Sequence, residues 1–196
     1  MTGITMLIAL LLTITLAPAQ DSPQKLFESG KYQEAIDNVK GRSDAPREEI
    51  YLRALAHRKL NQNDDAKEAF GALERADGHW KDIGKSGIAL IDGNQDEAAE
   101  AAKKAVEADG NSAQARFQLG LVESARNNQQ QAADAFAKAA ELDPQMAYAH
   151  YEAGMAFYKA KKVDRMAVYF ENFLKIAPNA PERPAVQSIM RTVRGR

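Results

Sequence analysis

The chain has 196 residues, 45% hydrophobic and 27% charged, values that fit one globular domain with a substantial core and exclude a disordered or fibrous class. Its 26 Lys and Arg residues balance 27 Asp and Glu residues, so it lacks the basic footprint that nucleic acid phosphates require. The absence of cysteine excludes disulfides, thiolate metal sites, cysteine nucleophiles and a lipid-modified cysteine. Alanine dominates many segments and period-two β-branched patterns are nearly absent, so the chain reads as all-α.

The first element is an address. Ile4 to Ala17 is a nearly unbroken apolar run that ends in the small-x-small pattern Ala17-Pro18-Ala19. It predicts a signal peptide over residues 1–19, cleaved after Ala19, and a periplasmic or secreted protein. Lys25 is the first basic residue, although signal peptides usually begin with positive charge, so an uncleaved membrane anchor over 1–19 is the alternative. The run is shorter than the roughly 20 apolar residues that a spanning helix needs.

Residues 22–180 form the predicted repeat domain. The first unit, about 22–46, is truncated: its first helix starts near Ser22 and stops at Gly30, and its partner runs from Tyr32 to Lys40. The second, about 47–79, pairs Glu48 to Leu60 with Asp64 to Arg75 across Asn61-Gln62-Asn63. The third, about 80–112, breaks at Gly93-Asn94 and stops at Asp109-Gly110.

Units four (113–146) and five (147–180) superpose in sequence when the chain is slid by 34 residues. Gly120 then falls on Gly154, Ala132 on Met166, Phe136 on Phe170, Leu142 on Ile176 and Pro144 on Pro178. One step further back lie Ser86, Ala98, Ala102, Ala108 and Gly110. The period shortens towards the N-terminus, with Ala66 lying 32 residues before Ala98 and Ala35 lying 31 before Ala66. The small residues are expected to let two backbones approach, and Phe136 and Phe170, one helical turn beyond Ala132 and Met166, to pack on the preceding helix. Polar breaks at Asn127-Asn128 and Lys161-Lys162 divide the two helices of each unit, and Pro144 and Pro178 end them. Residues 181–196 are read as a capping helix and basic tail, because Val186, Ile189, Met190 and Val193 recur at helical spacing between Glu182 and Arg194.

These residues closely resemble the tetratricopeptide repeat (TPR) family, whose unit of about 34 residues has small residues in both helices, an aromatic in the second and a closing proline. The resemblance is strong over 113–178. It is looser over 22–112, where Arg53 and Lys85 replace leucine and Ser86 replaces glycine or alanine. It implies a right-handed superhelical solenoid of helix hairpins whose first helices line a concave groove that binds an extended peptide or helix. Members that clasp acidic chain ends carry Lys, Arg and Asn at the fifth and ninth residues of those helices. This chain departs from that pattern with Tyr51 and Leu55, Ile83 and Gly87, Phe117 and Leu121, and Tyr151 and Met155. Carrying the groove positions over also brings in Trp80, Leu90, Tyr148 and Tyr158. The expected partner-binding groove is therefore Tyr51, Trp80, Ile83, Phe117, Leu121, Tyr148, Tyr151, Met155 and Tyr158, anchored by Phe117, Tyr151 and Tyr158. The competing reading is that these side chains pack between neighbouring units.

The sequence offers little to a catalyst. Gly84-Lys85-Ser86 resembles the end of a phosphate-binding loop, but that loop needs a glycine where His79 stands and a preceding strand. His57, His79 and His150 fall in different units without metal-ligand spacing. Glu97, Glu100 and Glu107 sit on an Ala-rich helix, where charges usually form the solvated face. The expectation is a non-enzymatic protein–protein interaction scaffold in the bacterial cell envelope, with no cofactor, no catalytic or metal site and no nucleic acid partner. The alternative is a helical binder of an apolar small molecule or glycan, which would need a closed pocket rather than an open groove.

Overall fold

The computed structural model describes residues 21–195, and the predicted signal peptide lies outside the described residues. The described residues hold a solenoid of helix hairpins: α1 (Pro23–Glu28) with α2 (Tyr32–Val39), α3 (Arg47–Lys59) with α4 (Asn63–Glu74), α5 (His79–Ile91) with α6 (Gln95–Ala108), α7 (Ala113–Ala125) with α8 (Gln129–Leu142), and α9 (Ala147–Lys159) with α10 (Val163–Ile176). A further helix, α11 (Arg183–Arg194), follows. None of these helices is long and apolar enough to cross a membrane.

All five hairpins turn in the same way. One residue in each, Gly30, Asn61, Gly93, Asn127 or Lys161, takes a positive φ between 58° and 81°. The next amide then donates to a carbonyl five residues earlier: Lys31 to Leu26, Gln62 to His57, Asn94 to Ala89, Asn128 to Glu123 and Lys162 to Phe157, all at 2.8–2.9 Å. This closure satisfies carbonyls that the helix end would leave unpaired, and it favours glycine or asparagine at the left-handed position. Lys161 holds the same position without either advantage. The truncated first unit shares the turn, which makes α1–α2 a hairpin of the same kind as the rest.

Packing inside the units differs from the sequence expectation in one respect. Gly120 and Gly154 do not bring two backbones together; a Cβ at either would collide with the ring of Phe136 or Phe170, which lies over the glycine. The glycines are seats for aromatic rings. Gly87 seats Phe70 of the preceding unit in the same way. Phe70, Phe136 and Phe170 are all fully buried as a result.

A polar thread runs through the middle of this core. The Tyr51 hydroxyl donates to Gln118 Oε1 at 3.0 Å, Gln118 Nε2 donates to Ser86 Oγ at 3.0 Å, and Ser86 donates to the Ala98 carbonyl at 3.0 Å. Each buried polar group thus has a partner, which offsets its desolvation. Because Tyr51 lies on α3 and Gln118 on α7, a side-chain hydrogen bond links the first helices of units two and four across α5. The solenoid is wound tightly enough to bury the inner face of unit three.

That winding closes the structure on itself. α1 reaches the junction of units four and five, where Gln24 Nε2 donates to the Gln145 carbonyl (3.4 Å), the Ala147 amide donates to Glu28 (3.4 Å), and Phe27 meets the Tyr148 ring edge-on at 5.0 Å. The hydroxyls of Tyr32 and Tyr148 lie 2.9 Å apart. Gly30 is required twice here, by its φ of 76° and because a Cβ would press within 3.0 Å of Pro181. The resemblance implies an open concave groove; in this chain the first unit lies across the gap and walls the groove into a cavity that stays open to solvent at its mouth.

Candidate ligand cavity

Tyr148, near the start of α9, is the hub of the closure. Its hydroxyl donates to both carboxylate oxygens of Glu182, at 2.8 and 2.9 Å, so Tyr32 supplies the proton in the bond between the two tyrosines. Its ring carries Lys59 Nζ 4.5 Å from the centroid, and Lys59 also pairs with Glu182 at 3.3 Å. Burial above all, with the charge of the Glu182 carboxylate to which it donates, holds the Tyr148 phenol far above its ordinary range, so it stays a donor. Residues from α1, α2, α3, α9 and the segment before α11 converge on this one side chain.

Around it the inner face opens into a cavity of about 310 Å³. The apolar walls come from the first helices: Phe27 of α1, Tyr51, Leu52 and Leu55 of α3, Phe117 of α7, and Met146 and Tyr148 at the start of α9. Ser22, Gln24, Pro46 and Glu48 are at the surface and mark the mouth. A second cavity of about 250 Å³ lies on the other side of Phe27, Leu55, Phe117 and Tyr148, which line both spaces. Leu121, Arg58, Lys59 and Glu152 complete the second one. The two cavities together make up a passage along the inner face, with the side chains of Phe27, Leu55, Phe117 and Tyr148 as its waist.

The two ends differ in charge. The larger cavity is lined by Glu28, Glu48, Glu49 and Asp143 and by no Lys, Arg or His, whereas the smaller one is lined by Arg58, Lys59 and Glu152. Burial holds the Glu28 carboxyl above its ordinary range, and the neighbouring Asp143 adds to the rise against hydrogen bonds from Gln24 and the Ala147 amide. Burial likewise raises the Glu152 carboxyl and lowers the Arg58 guanidinium at the other end.

The expected groove residues divide. Tyr51, Phe117, Leu121 and Tyr148 line the passage. Trp80 and Ile83 do not: they are 7% and 0% exposed, inside the core, with Trp80 against Tyr51 and His79. The Tyr51 ring of α3 lies against Trp80, and Ile83 belongs to the same core cluster. Tyr151 and Met155 are half-buried and packed on the core, Tyr151 lying 5.3 Å from Phe173. Burial pushes the Tyr151 phenol up to about 12. Tyr158 is 42% exposed and lies outside both cavities. Of the three expected anchors, only Phe117 faces the passage. Sequence reasoning missed Phe27, Leu52, Met146 and the acidic rim. Phe27 sits in the truncated unit, and Glu48 and Glu49 read as an ordinary charged helix start.

The family model described as tetratricopeptide repeat matches residues 51–113, 88–147 and 117–181. No match was found among curated proteins. Among solved structures, a thermophilic TPR protein of Thermus thermophilus is 16% identical over 87% of this chain and 94% of its own, with a TM-score of 0.61. YrrB, described as a TPR protein with an unusual peptide-binding site, is 19% identical over 85% of this chain and 88% of its own, with a TM-score of 0.54. The first TPR domain of Spaghetti, bound to an HSP90 peptide, is 18% identical over 60% of this chain and 94% of its own, with a TM-score of 0.53. The matches of the family model leave α1 and α2 outside, and these are the helices that close the passage.

Proposed function

The chain belongs to the tetratricopeptide repeat family, and from that premise we propose that it is a non-enzymatic binding scaffold whose site is the larger inner cavity. One observation carries the reading: apolar side chains from α1, α3, α7 and the start of α9, distant in sequence, converge on a solvent-open space of about 310 Å³. Ligand pockets run from about 300 to 1,000 Å³. A space at the low end of that range fits one bulky side chain of a partner, whose burial contributes about 1.5–3 kcal/mol. The same fold carries a peptide-binding site in YrrB and an HSP90 peptide in the Spaghetti domain, which supports a peptide as the ligand. The apolar run Ile4 to Ala17 and the pattern Ala17-Pro18-Ala19 support a place of work in the bacterial cell envelope, periplasmic or secreted, or tethered through residues 1–19.

Closure by α1 favours a second reading, an apolar small molecule held in the passage, because a space walled on both sides suits a compact ligand better than an extended chain. Photo-crosslinking separates the two. A photoreactive amino acid is placed at Gln114, which lines the cavity, and in a separate variant at Lys103, exposed on α6. The proposal expects protein adducts from position 114 that excess unlabelled chain competes away, and none from position 103. Adducts from position 103 alone would overturn it. A small-mass adduct at position 114 without any protein adduct would establish the second reading instead.

A further inference from the structure

On the cavity reading above, we infer that the partner segment is basic: one bulky apolar side chain seats in the larger cavity, and lysine or arginine residues flanking it meet the carboxylates at the mouth. The walls alone would accept any apolar side chain, so the choice of partner rests on the rim. Glu28, Glu48, Glu49 and Asp143 stand there without a basic residue among the lining. The chain as a whole has a formal net charge of −1, so this concentration of negative charge belongs to the mouth and not to the overall composition.

The rim carboxylates are also poorly compensated. Glu49 pairs with Arg42 at 2.8 Å. Glu28 accepts only amide hydrogens, from Gln24 and Ala147, and Asp143 accepts the amide of Gln145. Glu48 is exposed on the first turn of α3 and has no ion pair among the described residues. Like charges at Glu28 and Asp143 repel each other, and a cation at the mouth relieves that repulsion. An acidic segment would add to it. Arg58 and Lys59 beyond the waist give the passage a polarity that a basic segment entering from the acidic mouth matches with its apolar residue foremost. Rim charges of this kind select partners and speed their encounter more than they add raw affinity.

Fluorescence anisotropy on the full chain tests the inference with three labelled pentapeptides: Lys-Arg-Phe-Arg-Lys, Lys-Arg-Ser-Arg-Lys and Glu-Asp-Phe-Asp-Glu. The first should bind, the second about tenfold more weakly for want of the apolar residue, and the third not at all. Glu48→Lys, at an exposed position with no partner to lose, should weaken the first probe about tenfold, and raising the salt from about 50 to about 500 mM should weaken it further. Equal binding of the acidic and basic phenylalanine probes would overturn the inference and leave the cavity reading intact. So would an unchanged affinity in Glu48→Lys. Equal binding of the serine and phenylalanine basic probes would contradict both the inference and the cavity. Failure of every probe would overturn the basic segment, while crosslinking from position 114 would still decide the cavity.

Discussion

A glycine that makes room for an aromatic ring has a measurable signature. Gly120 lies under the Phe136 ring, and any Cβ there must push a fully buried side chain aside. Gly120→Ala improves the intrinsic helix propensity of α7 by roughly 1 kcal/mol, yet overpacking costs roughly 1–3 kcal/mol. The expected result is net destabilisation in a urea titration, and a stabilised variant would mean that the ring is not seated on the glycine. Titratable residues offer a second test. Burial, reinforced by the Glu182 charge, outweighs the opposing Lys59, Lys159 and Arg58 cations and leaves the Glu152 carboxyl above its ordinary value. The folded chain therefore holds that proton more tightly than the unfolded chain, and stability present below the ordinary carboxylate range is lost as pH rises through the raised value. Glu152→Gln should be more stable than the parent at neutral pH, with the advantage shrinking on acidification. His150 has the opposite sign, since burial lowers its imidazole and stability is lost as pH falls through the lowered value. That contribution is common to both chains and cancels in the comparison. An advantage that grows as pH falls would contradict the assignment.

At the scale of helices, the closure rests on hydroxyls and carboxylates as much as on apolar area. Tyr148→Phe keeps the ring against Phe27 and Phe173 but leaves Glu182 with only the Lys59 ammonium as donor and Tyr32 without its acceptor. Leaving such groups unpaired costs about 1–3 kcal/mol. Hydrogen exchange should speed up at the Leu26 and Ala147 amides, at the two ends of the closure, more than in α6 and α8; a uniform change would mean that Tyr148 serves general packing only. The helices themselves were legible in the sequence because polar breaks such as Asn127-Asn128 and Lys161-Lys162 fall at the left-handed turns, and the 34-residue shift aligned the buried Phe136 with Phe170. The inner face was only partly legible. Trp80 and Ile83 occupy groove positions by spacing, but both are packed into the core between units, Trp80 against Tyr51. How tightly the units wind depends on such contacts between units and leaves no mark in periodicity. Phe27 escaped notice because α1 has only six residues and no detectable repeat pattern.

For the molecule as a whole, the distinctive property is that its inner face is a passage and not a groove. α1 closes one side, and the start of α11 with the residue before it locks it: Glu182 holds both Tyr148 and Lys59, and Arg183 donates to the Leu174 carbonyl at 2.7 Å. The cavity, its apolar walls and its acidic rim all depend on that closure, since Phe27 and Glu28 come from α1 and Met146 and Asp143 from the opposite end. The most direct test is therefore a distance. With no native cysteine in the chain, nitroxide labels can be placed cleanly at Gln24 and Gln145, whose side-chain and backbone atoms meet at 3.4 Å. Double electron–electron resonance, with continuous-wave broadening for the shortest separations, should give one short and narrow distance that lengthens and broadens when Tyr148 is also changed to Ala. A broad distribution at long separation in the otherwise unaltered chain would show an open superhelix and contradict the α1-walled cavity and every reading built on it.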